Sequence, residues 1–251
     1  YENDLERMRL MGVNTLRIGI AWSRIFPDGE VNAKPNKAGI DFYNKVIKCM
    51  ISKGIKPVIC LFHWDYPLTL QNKLVAANKN GKPEGNGKRA MGFMNDDKDV
   101  NGNKLEDIFM NSWATYVSAV YEHILSKHWN DIYYISSINE ILTMASNGYT
   151  NSAHCPGYSV NRKTSEYGIW NGYYWSIYNM LNMHGLVYDI HQKYKKNGKN
   201  PPCTVDSYYS KLPTRYTPEG FESVNGSGLS KSTTDPDMTP QGTTCKNSTF
   251  N

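Results

Sequence analysis

Apolar positions along this chain alternate between two periods. In residues 36–53, Ile40, Tyr43, Ile47 and Met50 recur at steps of three, four and three, and Gly54 follows. That is the stripe of a helix packing one face and stopping at a glycine. Directly after it comes KPVICLF (56–62), a continuous apolar run of strand length. The same alternation holds elsewhere. ENDLERMRLMG (2–12) predicts a helix ending at Gly12, and NTLRIGI (14–20) a strand. Phe109, Trp113, Tyr116, Val120 and Ile124 mark an amphipathic helix, and IYYISSI (132–138) follows as a strand. A further helix is predicted over about 170–195, and a weaker strand at CTVDSYY (203–209). Strands alternating with helices argue for an α/β fold of βα units, with a parallel sheet and helices packed outside it.

Two stretches break the pattern. Residues 76–104 hold NKNGKPEGNGK and NDDKDVNGNK, too long and too polar for an ordinary connection, and read as a surface insertion. From about 213 to 251 the chain is rich in Pro, Gly, Ser and Thr with few apolar anchors, so 1–212 reads as the folded domain and 213–251 as an extended tail.

Composition narrows the functional classes. The net charge of +5 is spread along the chain, and the one dense basic stretch, KYKKNGK (193–199), reads as the solvated end of a helix, so no nucleic-acid partner is expected. No apolar run is long enough to span a membrane. Five cysteines lie far apart without a C-x-x-C pair, so neither a metal nor a cofactor is called for. Cys49 and Cys60 fall in apolar patterns as buried thiols, while Cys155, Cys203 and Cys245 lie in loop-like sequence where a disulfide is conceivable. Sequons at Asn225 and Asn247 lean towards a secreted or lysosomal/vacuolar compartment. The chain opens inside a helix pattern, so a removed leader is one expectation. Aromatics at 12% suit either a stacking surface or an aromatic core.

The chemistry gathers after the strands. The first is followed by AWSRIFPDG (21–29), the second by HWDYP (63–67) and the third by Asn139-Glu140. In a barrel, the C-terminal ends of parallel strands converge on one face, so His63, Trp64, Asn139 and Glu140 are expected to line a common cleft with Arg17 beneath them. Taken singly, these residues have plainer readings. Arg17 serves equally as the partner of a core acid, His63 as a structural histidine and Trp64 as a packing residue. Asp65 is read as structural, and Tyr149 and Trp175 more as packing than as cleft aromatics.

Four stretches together resemble the family 1 glycoside hydrolases, the β-glucosidase family of (β/α)8 TIM barrels: YENDLERMRLMGVNTLRIGIAWSRIFPDG (1–29), GIDFYNKVIKCMISKGIKPVICLFHWDYP (39–67), ISSINE (135–140) and YNMLNMHGLVYDIHQKY (178–194). The resemblance implies a partial barrel, roughly strands 2–4 or 2–5 of the eight. It also implies a retaining mechanism on a β-linked sugar or glycoside. Glu140 matches the general acid/base, and Asn139 the amide that binds the sugar 2-hydroxyl. His63 and Trp64 match residues lining the subsite of the cleaved sugar, and Arg17 the guanidinium that keeps the nucleophilic carboxylate ionised.

The chain also departs from the family. Ile141 stands where the family usually has Pro. The first strand, with its sugar-binding Gln, is absent, and nothing after residue 195 matches the Glu-Asn-Gly motif of the nucleophile. ESVNG (222–226) has the wrong spacing, and Asp206 has no precedent in that role. Two functions stay open. One is a retaining β-glycosidase of which this chain is a piece, inactive alone and completed by a companion polypeptide. The other is a catalytically inactive scaffold or sugar-binding subunit derived from such an enzyme.

Overall fold

Four strands line up in chain order, β1 (Thr15–Gly19), β2 (Lys56–Phe62), β3 (Tyr134–Ile138) and β4 (Val205–Asp206), every neighbouring pair parallel. They form the sheet of a computed structural model that describes residues 1–29, 33–71, 105–151, 153–155, 173, 175–196 and 205–206. The insertion at 76–104 and the tail at 213–251, with both sequons, Cys203 and Cys245, lie outside the described residues.

Parallel neighbours need crossovers, and helices supply them. They are α1 (Glu2–Leu10), the short α2 (Trp22–Ile25), α3 (Lys37–Ser52), α4 (Leu105–His123), α5 (Ile141–Tyr149) and α6 (Trp175–Lys196). Asn36 starts α3 by accepting the Ala38 amide on its side chain. Both α1 and α3 end on a glycine in the left-handed region, Gly12 at φ 84° and Gly54 at φ 72°. The next amide in each case bonds back to the last turn, Val13 to Met8 O and Ile55 to Met50 O at 3.0 Å each. This is a Schellman closure, and it aims the chain straight into β1 and β2.

The register sets what each face carries. Arg17 lies opposite Val58, which lies opposite Tyr134, and Gly19 opposite Cys60, Ser136 and then Asp206. On the other face Leu16 pairs with Pro57, and Ile18 with Ile59 and Ile135. That second face meets the helices. Ile59, Leu61 and Ile135 are fully buried in one core with Ile47 of α3, Trp113, Tyr116 and Val120 of α4 and Met183 and Val187 of α6. A satellite cluster of Leu5, Val46, Met50 and Ile55 packs α1 and α3 together, with Leu16 and Ile18 at its edge. Alternate residues of β1 (Thr15, Arg17, Gly19) are exposed.

Most of the polar groups described inside the helical layer are paired, the buried indole nitrogens of Trp22 and Trp129 being exceptions. The Tyr116 hydroxyl sits 2.7 Å from Ile20 O and 2.8 Å from Leu61 O, sharing its proton across the ends of β1 and β2. Ser137 meets His184 Nδ1 at 2.8 Å, and the Trp113 indole donates to Met183 O at 3.1 Å. His128 Nε2 donates to Asn44 Oδ1 at 2.9 Å. Such pairing removes the penalty of burying a polar atom.

The strand at 56–62 falls where the hydrophobic pattern put it, and the helix over 36–53 is right to within a residue at each end. The strand expected at 203–209 is described only at Val205–Asp206. Two helices were not anticipated. Trp22–Ile25 lies in what reads as a loop, and Ile141–Tyr149 starts immediately after Glu140. The second carries a legible stripe, since Ile141, Met144, Ala145, Gly148 and Tyr149 are its buried positions. Tyr149 packs, fully buried, and Cys60 is a buried free thiol, whereas Cys49 is half-buried and Cys155 is an exposed free thiol.

Candidate active site

The ends of β2 and β3 are stitched together by backbone. The Asn139 amide donates to Phe62 O at 2.8 Å, carrying the ladder one residue past the last strand position of β3. The chain then leaves both strands abruptly. Trp64, two residues beyond β2, has φ 72°, and Glu140, two residues beyond β3, has φ 44°. These are the two non-glycine positive-φ residues among the described ones. A residue with a Cβ normally avoids this region, and backbone held there marks a place that the surroundings over-determine.

Four residues of the expected cleft come together around Asn139. From β1, the Arg17 guanidinium reaches across β2, with Nη2 donating to Cys60 Sγ at 3.2 Å and to Asn139 Oδ1 at 2.5 Å. The second contact spans 122 positions of sequence. It also orients the amide: with Oδ1 accepting, the Nδ2 protons of Asn139 remain as donors. From the β2 end, the Trp64 indole donates to Asn139 O at 2.8 Å. Asn139 itself is buried, Glu140 half-buried, and Arg17 and His63 exposed. Glu140 begins α5 without capping it by its side chain, so its carboxylate is not committed to the helix it starts.

His63 stands edge-on to Trp64, with ring centres 5.2 Å apart. Burial pulls its imidazole below the ordinary histidine value, helped by the Arg17 charge and opposed by Asp65 and Glu140. At neutral pH His63 is therefore a neutral ring with one donor and one acceptor. Burial pushes the Asp65 carboxyl up, and the backbone amides of Asp65 and Trp22 pull it back towards the ionised form. Asp65 thus ties the β2 end to the start of α2, in keeping with its reading as structural.

Two neighbours escape a reading of the sequence. Cys60, legible as a buried thiol, is also a partner of Arg17. His154, on the segment after α5, lies with its ring 5.2 Å from Trp64 at a tilt of 31°, so Trp64 is flanked by two imidazoles. No local pattern announces His154, because the contact exists only once α5 has turned the chain back. No cluster of three or more His, Cys, Asp or Glu that could hold a metal is found among the described residues. A groove of about 640 Å³ lined by Asp41, Lys45, Lys48, Lys127, His128 and Asp131, among others, lies along α3 and shares no residue with this site.

Comparison with known proteins bears out the resemblance carried by the motifs. Residues 1–80 match the model of Glycosyl hydrolase family 1. β-Glucosidase 34 of rice (Oryza sativa subsp. japonica) is 30% identical over 212 residues, which are 80% of this chain and 33% of that protein. β-Glucosidase 6 of the same species is 47% identical over 73 residues, 29% of this chain and 14% of the relative. Among solved structures, a rice β-glucosidase superposes with a TM-score of 0.61 at 25% identity, covering 82% of this chain and 37% of its own. The chain spans about a third of the length of the curated relatives it matches. It is β-glucosidase-like, and its four-stranded sheet is an arc of the TIM barrel of that family.

Proposed function

We propose that this chain carries the acid/base side of a retaining β-glycosidase site, with Glu140 as general acid/base and the nucleophilic carboxylate supplied by a companion segment that completes the barrel. The observation that carries this reading is the Arg17–Asn139 hydrogen bond at 2.5 Å, which assembles residues from β1 and β3 beside Glu140.

The chemistry runs in two balanced steps. In the first, the companion carboxylate attacks the anomeric carbon and the glycosidic C–O bond breaks. The Glu140 proton passes to the departing oxygen, leaving a glycosyl ester and a Glu140 carboxylate. In the second, Glu140 takes a proton from water as its oxygen attacks the same carbon, and the ester bond breaks to return the companion carboxylate. The Nδ2 protons of Asn139 suit the sugar 2-hydroxyl. His63 offers a neutral donor and acceptor to the sugar hydroxyls, and the Trp64 ring lines the same subsite. The exposed guanidinium of Arg17 holds the companion carboxylate ionised. The substrate is a β-linked sugar or glycoside.

A second reading is favoured by one observation. Among the described residues Arg17 meets a thiol and an amide but no carboxylate. A site without a nucleophile binds sugar and does not cleave it, as in an inactive scaffold or sugar-binding subunit.

Hydrolysis of an aryl β-glucoside, measured on the full chain with and without co-purifying polypeptides, separates the two. In the first reading Glu140→Gln lowers kcat by about a hundredfold or more, from the lower end of the range for losing general acid–base catalysis upwards. Activity indifferent to that substitution removes Glu140 from the role. Saturable binding of a β-glucoside by calorimetry, with no turnover in any fraction, supports the second reading.

A further inference from the structure

We infer that Trp64 is a positioning residue, whose indole N–H holds the Asn139–Glu140 peptide and so keeps Glu140 in its left-handed backbone conformation. As a statement about catalysis it rests on the acid/base reading of Glu140; as a statement about geometry it does not.

Three observations meet at this peptide. Glu140 has φ 44°, a left-handed conformation that a non-glycine residue does not choose unaided. The carbonyl immediately before it, Asn139 O, accepts the Trp64 indole at 2.8 Å, while the Asn139 amide is fixed to Phe62 O at 2.8 Å. Asn139 is therefore clamped at both its backbone amide and its backbone carbonyl, one from the β2 strand and one from the residue two places beyond it. Trp64 is itself at φ 72°, so the clamp is a pair of mutually bonded strained turns at adjacent strand ends.

The clamp has rigid backing. The Trp64 ring is partly buried against the main core and flanked by the rings of His63 and His154, each at 5.2 Å. A flexible donor at this position would let the peptide rotate, and rotation about it swings the Glu140 side chain relative to Asn139. Small displacements of a reacting group are expensive in rate, because the geometry of proton transfer is narrow. A bidentate hold on the preceding residue is thus an economical way to aim a carboxyl that begins a helix it does not cap. A Trp that only lined a sugar subsite would have no reason to direct its one N–H at a backbone carbonyl.

The test is NMR on the isotope-labelled full chain. In the native protein the Trp64 indole proton should exchange at least about tenfold more slowly than a free indole, and the Glu140 Cα and Cβ shifts should report left-handed backbone. Trp64→Phe removes the donor and should move the Glu140 shifts out of that range. Placing benzothienylalanine at position 64, with sulfur in place of N–H and the ring shape kept, should do the same without loss of packing, and it decides the matter if Trp64→Phe does not fold. Left-handed Glu140 shifts that persist in the benzothienylalanine variant overturn the inference.

Where the chain hydrolyses an aryl β-glucoside, the same variant should lower kcat about tenfold with KM changed less than about twofold, and should displace the Glu140 limb of the pH profile. Raised KM with kcat and pH profile unchanged would make Trp64 a sugar contact instead. Because the NMR readout needs no turnover, absence of hydrolysis even with the co-purifying polypeptides present counts against the acid/base reading and leaves the positioning result standing.

Discussion

The two faces of the sheet differ at its β1 edge, where one side is open, although further along that side Cys60, Phe62, Ser136 and Ile138 are buried. On the helix-facing side, Ile59, Leu61 and Ile135 are sealed, and the polar groups of Ser137 and Tyr116 find partners there. On the other side, Thr15, Arg17 and Gly19 of β1 are exposed, and Arg17 finds its partners in a thiol and an amide. The helical side behaves as a finished domain core. The other side is where the candidate chemistry lies, and a charged guanidinium is affordable there because water still solvates it. Stability should therefore reside mainly on the helix-facing side, and function around Arg17 at the open β1 edge.

That contrast can be broken by substitution. The largest effect should come from Ile135→Ala, which opens a cavity in the sealed face and should cost about 2–5 kcal/mol in urea unfolding. Next, Tyr116→Phe leaves the Ile20 and Leu61 carbonyls without their shared donor and should cost about 1–3 kcal/mol by the same measurement.

A smaller, pH-dependent effect is expected at α1. Hydrogen bonds from Arg9, and then from Lys53, hold the Glu6 carboxyl down at about 2, below its ordinary 4.5. A depressed carboxylate adds stability above its unfolded value and loses it as pH falls through the folded one. Melting temperature should therefore fall between about pH 4.5 and 2, and Glu6→Gln should flatten part of that slope, with high salt doing likewise because the pair is exposed. The smallest effect on stability should be that of Arg17→Met, about 1 kcal/mol, since the guanidinium is exposed but its loss leaves the buried Asn139 Oδ1 without its donor. If Arg17→Met instead destabilises as much as Ile135→Ala, the open face is part of the core and the contrast fails. Loss of sugar binding or hydrolysis in Arg17→Met with no more than that small loss of stability would sharpen it.

Much of the scaffold was legible because its signals are local. The stripe through Ile40, Tyr43, Ile47 and Met50 and the glycines at 12 and 54 need no distant residue to be interpreted. The helix at Ile141–Tyr149 carries an equally legible apolar spacing. The short helix Trp22–Ile25 was not legible. The N-terminal amide of this single turn meets a carboxylate, Asp65, from the end of another strand.

For the site, residue types after the second and third strands grouped His63, Trp64, Asn139 and Glu140, with Arg17 of β1 beneath them, because parallel topology places all strand C-termini on one side. Their wiring was not readable. That Arg17 orients Asn139 across β2, that the indole of Trp64 points at a backbone carbonyl, and that His154 returns to flank it are facts of three-dimensional distance. The sequence by itself determined the alternation of strand and helix, the parallel order and the acid at the end of β3, since backbone periodicity and strand polarity act over a few residues. Only the tertiary structure decided which face stayed open and how Glu140 is held. Burial and hydrogen-bond geometry join residues more than a hundred positions apart, and no local pattern encodes a hydrogen-bond length or a φ of 44°.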